Sequence, residues 1–122
     1  MTATETKDLK LAVSQETSGD VVIFALKGSL DLSNTAEAKE ITTEAFEADT
    51  PKILFDLAAI DYIDSAGLGY LIGSLRRASQ KGGSVKLFGL SAYMTGVFKI
   101  VNLHNILEVF PTRDEALEAY GS

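Results

Sequence analysis

The sequence predicts a single α/β domain: an N-terminal β-hairpin followed by alternating helices and strands, forming a mixed, mostly parallel sheet with helices packed against it. Three observations carry this expectation. Short apolar runs bounded by turn residues recur between Leu9 and Phe110. Between the later ones lie stretches of helical periodicity, several opened by capping residues. The 122 residues, 46% of them hydrophobic, suit one core burying about two-thirds of the unfolded surface, with no linker or repeat. The domain is expected over residues 8–120, with residues 1–7 as a flexible N-terminus.

Leu9, Leu11 and Val13 alternate with Lys10, Ala12 and Ser14, the period of a half-buried strand. Thr17-Ser18-Gly19-Asp20 supplies a turn, and Val21 to Leu26 is continuously apolar, as in a strand covered on both faces. These two strands are expected to pair antiparallel. After Gly28-Ser29-Leu30-Asp31, Ser33 and Asn34 offer caps. Asn34 and Glu37 have capping-box spacing ahead of a helix of about four turns with Ala38, Ile41, Ala45 and Phe46 inward. Pro51 ends it, and Ile53 to Leu57 forms the next strand, so a right-handed crossover and parallel pairing are implied.

A short loop through Asp61-Tyr62-Ile63 is then expected, and Asp64 opens a helix running to Lys81. Leu68, Leu71, Ile72, Leu75 and Ala78 form its apolar stripe. Arg76, Arg77 and Lys81 suit the negative end of the helix dipole, and Gly82-Gly83 closes it. Val85, Leu87 and Phe88 make a further strand; Ser91 caps a helix with Met94, Val97, Phe98 and Val101, stopped at Asn102. Ile106 to Phe110 reads as the last strand, and Thr112-x-x-Glu115 starts a short helix with Ala116, Leu117 and Tyr120 inward.

The net charge of -6 and pI near 4.7 disfavour nucleic acid or an anionic membrane as partner and favour a basic protein surface. Without cysteine there is no disulfide, thiolate metal site or cysteine nucleophile. The polar start is not a secretory signal and no apolar run is long enough to cross a bilayer, so a cytoplasmic protein is expected.

Most catalytic templates fail at the central loop. Gly67-Leu68-Gly69 lacks the third glycine of a dinucleotide fingerprint, no Gly-Lys-Ser/Thr run exists for a P-loop, and Ile63 occupies a glycine position of the hydrolase nucleophile elbow. The single histidine, His104, reads as a loop residue rather than half of a triad, and one histidine excludes paired-histidine metal sites. Asp56, Asp61 and Asp64 have no spacing that demands a divalent ion. A response-regulator receiver would place an aspartate where Asp56 stands, but its acidic pair and its lysine have no counterparts at Val13-Ser14-Gln15-Glu16 or Pro111-Thr112-Arg113.

Ser65 stands apart. With Asp64 as N-cap, its hydroxyl faces solvent at the positive end of the helix dipole, where a phosphoryl group is tolerated by the fold. Capping explains Asp64 and Ser65 but not Gly67 and Gly69, since each glycine in a helix interior costs about 1 kcal/mol relative to alanine. A partner surface pressed against these glycines, with Ser65 pointing into it, gives them a use. Phosphorylation would add about -1.5 to -2 charges beside Asp61 and Asp64, and a partner docked there would face a hydrated dianion.

Asp64-Ser65-Ala66-Gly67-Leu68-Gly69, with Gly28-Ser29-Leu30-Asp31 before it, resembles the signature of the STAS-domain anti-sigma factor antagonists. These are bacterial regulators phosphorylated on a serine that follows an aspartate. The resemblance implies a protein that is the substrate of an enzyme and not itself one, and no cofactor or metal is expected. It implies that the unphosphorylated form binds an anti-sigma factor that is also a serine kinase, and so frees a sigma factor for transcription. The kinase would phosphorylate Ser65 from ATP, and a separate phosphatase would reset it. The implied partner-binding set is Asp31, Asp64, Ser65, Ala66, Gly67, Leu68 and Gly69, with Ala66 replacing a second serine found in many relatives. Leu71, Arg76 and Arg77 are either part of the docking surface or, for the arginines, dipole partners. STAS domains also serve as non-switching scaffold subunits of stress-signalling or lipid-transport complexes, which is the alternative.

Overall fold

A computed structural model describes residues 11–121. The elements are β1 (Leu11–Ser18), β2 (Val21–Leu30), α1 (Thr35–Phe46), β3 (Lys52–Ile63), α2 (Ser65–Ser79), β4 (Ser84–Phe88), α3 (Ala92–Ile100), a 3-10 turn at Leu103–Asn105, β5 (Glu108–Phe110) and α4 (Arg113–Ala119). The five strands lie in the order β1-β2-β3-β4-β5. β1 is antiparallel to β2, and the remaining pairs are parallel, the α/β sheet that the sequence predicts. Leu9, Lys10 and the segment 1–7 lie outside the described residues.

Because each crossover leads to the adjacent strand, a uniform right-handed sense puts α1, α2 and α3 on one face. There Phe24, Leu26, Phe55, Leu57 and Leu87 of the sheet pack against Phe46, Leu71, Ala78, Met94 and Phe98 of the helices. The alternate residues Val21, Ile23, Leu54 and Phe88 point to the other face and meet Ala116 of α4. The Tyr120 hydroxyl donates to the carbonyls of Ile53 (2.7 Å) and Ser84 (2.8 Å), fixing the end of α4 against β3 and β4.

Four local expectations need correction. β3 does not stop at Leu57: it continues to pair with β2, Gly28 opposite Ile60 after one register shift and Leu30 opposite Ile63 after a second. The buried side chains of Ile60 and Ile63 hold this extension, so the expected loop is strand. In α1 the buried stripe is Ala38, Thr42 and Phe46, while Ile41 is 50% exposed. Burying Thr42 is tolerable because its hydroxyl meets the Tyr70 hydroxyl at 2.8 Å and donates to the Ala38 carbonyl at 2.9 Å. Val101 is exposed rather than inward. The last strand is only three residues long, because the chain at Leu103–Asn105 takes a 3-10 turn after Asn102 enters the left-handed region at φ 67°.

Candidate functional site

The carboxyl ends of β2 and β3 finish side by side, and the chain segments leaving them build one surface. Asp64 stands between them in extended conformation as the N-cap of α2. Its Oδ1 accepts the Gly67 N–H at 3.0 Å, as its position in the sequence predicts. Its Oδ2 accepts the Leu32 N–H at 3.1 Å, and its own N–H donates to the Leu30 carbonyl at 3.3 Å. One aspartate therefore ties the helix mouth to the β2–α1 loop. The Gly67 N–H, and to a lesser degree that of Leu32, hold the Asp64 carboxyl below the usual carboxylate range.

The β2–α1 loop has its own brace. Asn34 sits at the N-cap position of α1 but makes no side-chain cap, correcting the capping-box reading. Its buried side chain turns back: Oδ1 accepts the Asp31 N–H at 3.0 Å and Nδ2 donates to the Ser29 carbonyl at 2.9 Å. The Asp31 Oδ1 accepts both the N–H (2.9 Å) and the hydroxyl (2.5 Å) of Ser33. Asp31 thus shapes its own turn, next to the residue that Asp64 holds.

Of the seven residues expected at the interface, Ser65 and Gly69 are exposed, and Asp31, Asp64 and Ala66 are half-buried. Gly67 and Leu68 are buried and support the surface from beneath. The glycine at 67 has an internal cause: a Cβ there would lie 2.7 Å from Ile63 Cγ1, 3.1 Å from the Leu30 carbonyl carbon, and closer still to its oxygen. At Gly69 a Cβ would meet nothing within 4 Å, so the fold does not require glycine there. Leu71 is fully buried, which removes it from the docking surface, while the half-buried Arg77 places its guanidinium 4.3 Å from the centre of the Phe46 ring. Sequence reasoning missed the brace made by Asn34 and the exposed Leu32, Tyr62 and Tyr93 around the mouth.

Ser65 is the first residue of α2, on the positive end of a fifteen-residue helix with no acidic side chain in its first turn. His104, in the 3-10 turn after α3, lies toward the opposite end of the sheet, so Ser65 has no imidazole base. A depression of about 380 Å³ over β1, β2 and β3 is lined by Ala12, Ala25, Asp56 and Ala58 among others and does not include Ser65. The arrangement offers an exposed serine on a braced surface.

The STAS domain family model matches residues 12–116, and the chain belongs to that family. It is 27% identical over 103 residues to an anti-sigma-B factor antagonist of Listeria monocytogenes, covering 84% of this chain and 89% of that protein. It also superposes on a putative anti-sigma factor antagonist from Thermotoga maritima with a TM-score of 0.81 at 26% identity, covering 88% of this chain and 92% of that one. The Bacillus cell fate determinant SpoIIAA in its phosphorylated form shares the fold, with a TM-score of 0.68 at 24% identity over 89% of this chain and 99% of its own. These relatives are regulatory proteins by name, not enzymes. No helix among the described residues is long and apolar enough to cross a membrane.

Proposed function

We propose that this chain is an anti-sigma factor antagonist. In its unphosphorylated state it binds an anti-sigma factor that is also a serine kinase, through the surface around Ser65, and so releases a sigma factor. The kinase then transfers the γ-phosphoryl group of ATP to Ser65 Oγ, with ADP as leaving group, and a phosphatase hydrolyses the phosphoserine to reset the protein. Asp31, Asp64, Ser65, Ala66 and Gly69 form or frame the contact, and Gly67 and Leu68 support it from within. A cytoplasmic location follows from these partners.

The observation that carries this reading is the exposed Ser65 hydroxyl at the mouth of α2, beside an aspartate that braces both loops. A phosphoryl group there meets the positive helix end, so the host fold survives. A partner seated on it would bury an unpaired dianion near Asp61 and Asp64, a cost of several kcal/mol. A swing from 99:1 bound to 99:1 free needs about 5.5 kcal/mol, which burying the phosphate supplies in large part. The sheet need not rearrange.

The test is mass spectrometry after incubation with a purified anti-sigma factor kinase from the same genome and ATP. Phosphate on Ser65 is expected, and none on the Ser65→Ala protein. Phosphate on another residue, or none with a kinase active on its own antagonist, rejects the reading. Affinity indifferent to Ser65 would fit a non-switching STAS scaffold instead.

A further inference from the structure

Resting on the function proposed above, we infer that Leu32, Tyr62 and Tyr93 form the apolar contact patch of the interface, with Leu32 its fixed high point, and that the patch fits an apolar cleft rimmed by basic side chains on the anti-sigma factor. Single exposed apolar residues are ordinary on a protein surface and need no explanation. Here three converge on one end of the sheet. Leu32, 78% exposed, lies just past the end of β2; Tyr62, 48% exposed, is the penultimate residue of β3; Tyr93, 45% exposed, is the second residue of α3.

Each is held rather than loose. The Leu32 N–H is bonded to Asp64 Oδ2, and its neighbours Asp31 and Ser33 are fixed by the Asn34 and Asp31 side chains. Tyr62 is in the ladder opposite Ser29. The Tyr93 hydroxyl donates to the Ile63 carbonyl at 3.3 Å, which leaves the ring on the surface. An already ordered backbone spares the cost of ordering a loop on binding, and tyrosine is enriched among the residues that dominate interfaces. Asp31, Asp61 and Asp64 stand among them, so the complementary rim is basic. The same Asp64 that precedes Ser65 positions Leu32, which places the patch and the phosphoryl group under one partner footprint.

A second exposed apolar group, Ile100, Val101 and Ile106, lies where α3 ends, at the opposite end of the sheet, and provides the control. The experiment is calorimetric titration of the purified anti-sigma factor kinase that modifies Ser65 with wild type, Leu32→Ser, Leu32→Met, Tyr62→Ser and Ile100→Ser. Leu32→Ser and Tyr62→Ser are expected to raise Kd by about tenfold or more, while Leu32→Met keeps most of the affinity. Ile100→Ser should bind like wild type, and all four should unfold at nearly the wild-type temperature because the replaced side chains are exposed. Wild-type affinity for both serine variants, with binding still lost on phosphorylation of Ser65, overturns the patch and leaves the proposed function standing. An equal loss in Ile100→Ser overturns the placement. A wild-type chain that neither binds nor is modified by any such kinase removes the proposed function and the patch with it.

Discussion

Replacing Gly67 and Gly69 by alanine, one at a time, should move stability in opposite directions although the same methyl group is added two residues apart. At 67 the new Cβ meets the Leu30 carbonyl and Ile63 Cγ1. The carbonyl cannot retreat easily, since it belongs to the paired end of β2 and accepts the Asp64 N–H. Overpacking of this kind costs about 1–3 kcal/mol or more. Against it stands a helix-propensity gain of at most about 1 kcal/mol. A net loss of about 2 kcal/mol is expected, which for a domain of this size lowers Tm by roughly 8 °C. At 69 the methyl meets nothing and only the gain of about 0.5–1 kcal/mol remains. Thermal and urea unfolding followed by circular dichroism, with unchanged urea m-values, measures both. A Gly67→Ala protein as stable as wild type would refute the close approach of α2 to β2. If Gly69→Ala is stabilised yet binds the kinase less well, the glycine serves the interface rather than the fold.

Three further outcomes follow from the same contacts. Asn34→Ala leaves the Asp31 N–H and the Ser29 carbonyl without their partner and should cost about 1–3 kcal/mol by urea unfolding; a neutral effect would mean the loop is not braced as described. The Asp64 carboxyl is depressed in the folded state, so its contribution is fully present above the unfolded pKa of about 4 and is lost as pH falls through the lower folded value. Asp64→Asn should therefore unfold with a shallower acid dependence than wild type, and an identical dependence counts against the clamp. Burial raises the Tyr120 hydroxyl to about 12, so its contribution is present below about pH 10 and is lost between there and the folded value as pH rises. Alkaline unfolding should be less steep in Tyr120→Phe, and equal steepness would contradict the burial of that hydroxyl.

Much of the fold was legible because short periodic runs and caps are local signals. The bonds from Gly67 to Asp64, Met94 to Ser91 and Glu115 to Thr112 stand where the cap residues predict. The misreadings have tertiary causes. Ala58 to Ile63 mixes polar and apolar residues, and its strand character depends on bulged pairing with β2 that no local pattern encodes. Thr42 is buried in preference to Ile41 because a hydroxyl from α2 waits for it. At the site, Ser65 and Asp64 could be placed from sequence alone. The cause of Gly67 could not, since it is a carbonyl about thirty-seven residues earlier in the chain. Asn34 was visible as a cap former, but the partner it chooses depends on where the loop turns back.

The most direct measurement is the affinity of the purified anti-sigma factor kinase for the chain before and after stoichiometric phosphorylation of Ser65, with folding of both forms checked by circular dichroism. The unmodified chain should bind and the phosphorylated chain, equally folded, should bind at least about a hundredfold more weakly. Equal affinity of the two folded forms would show that the exposed hydroxyl at the mouth of α2 is not the switch.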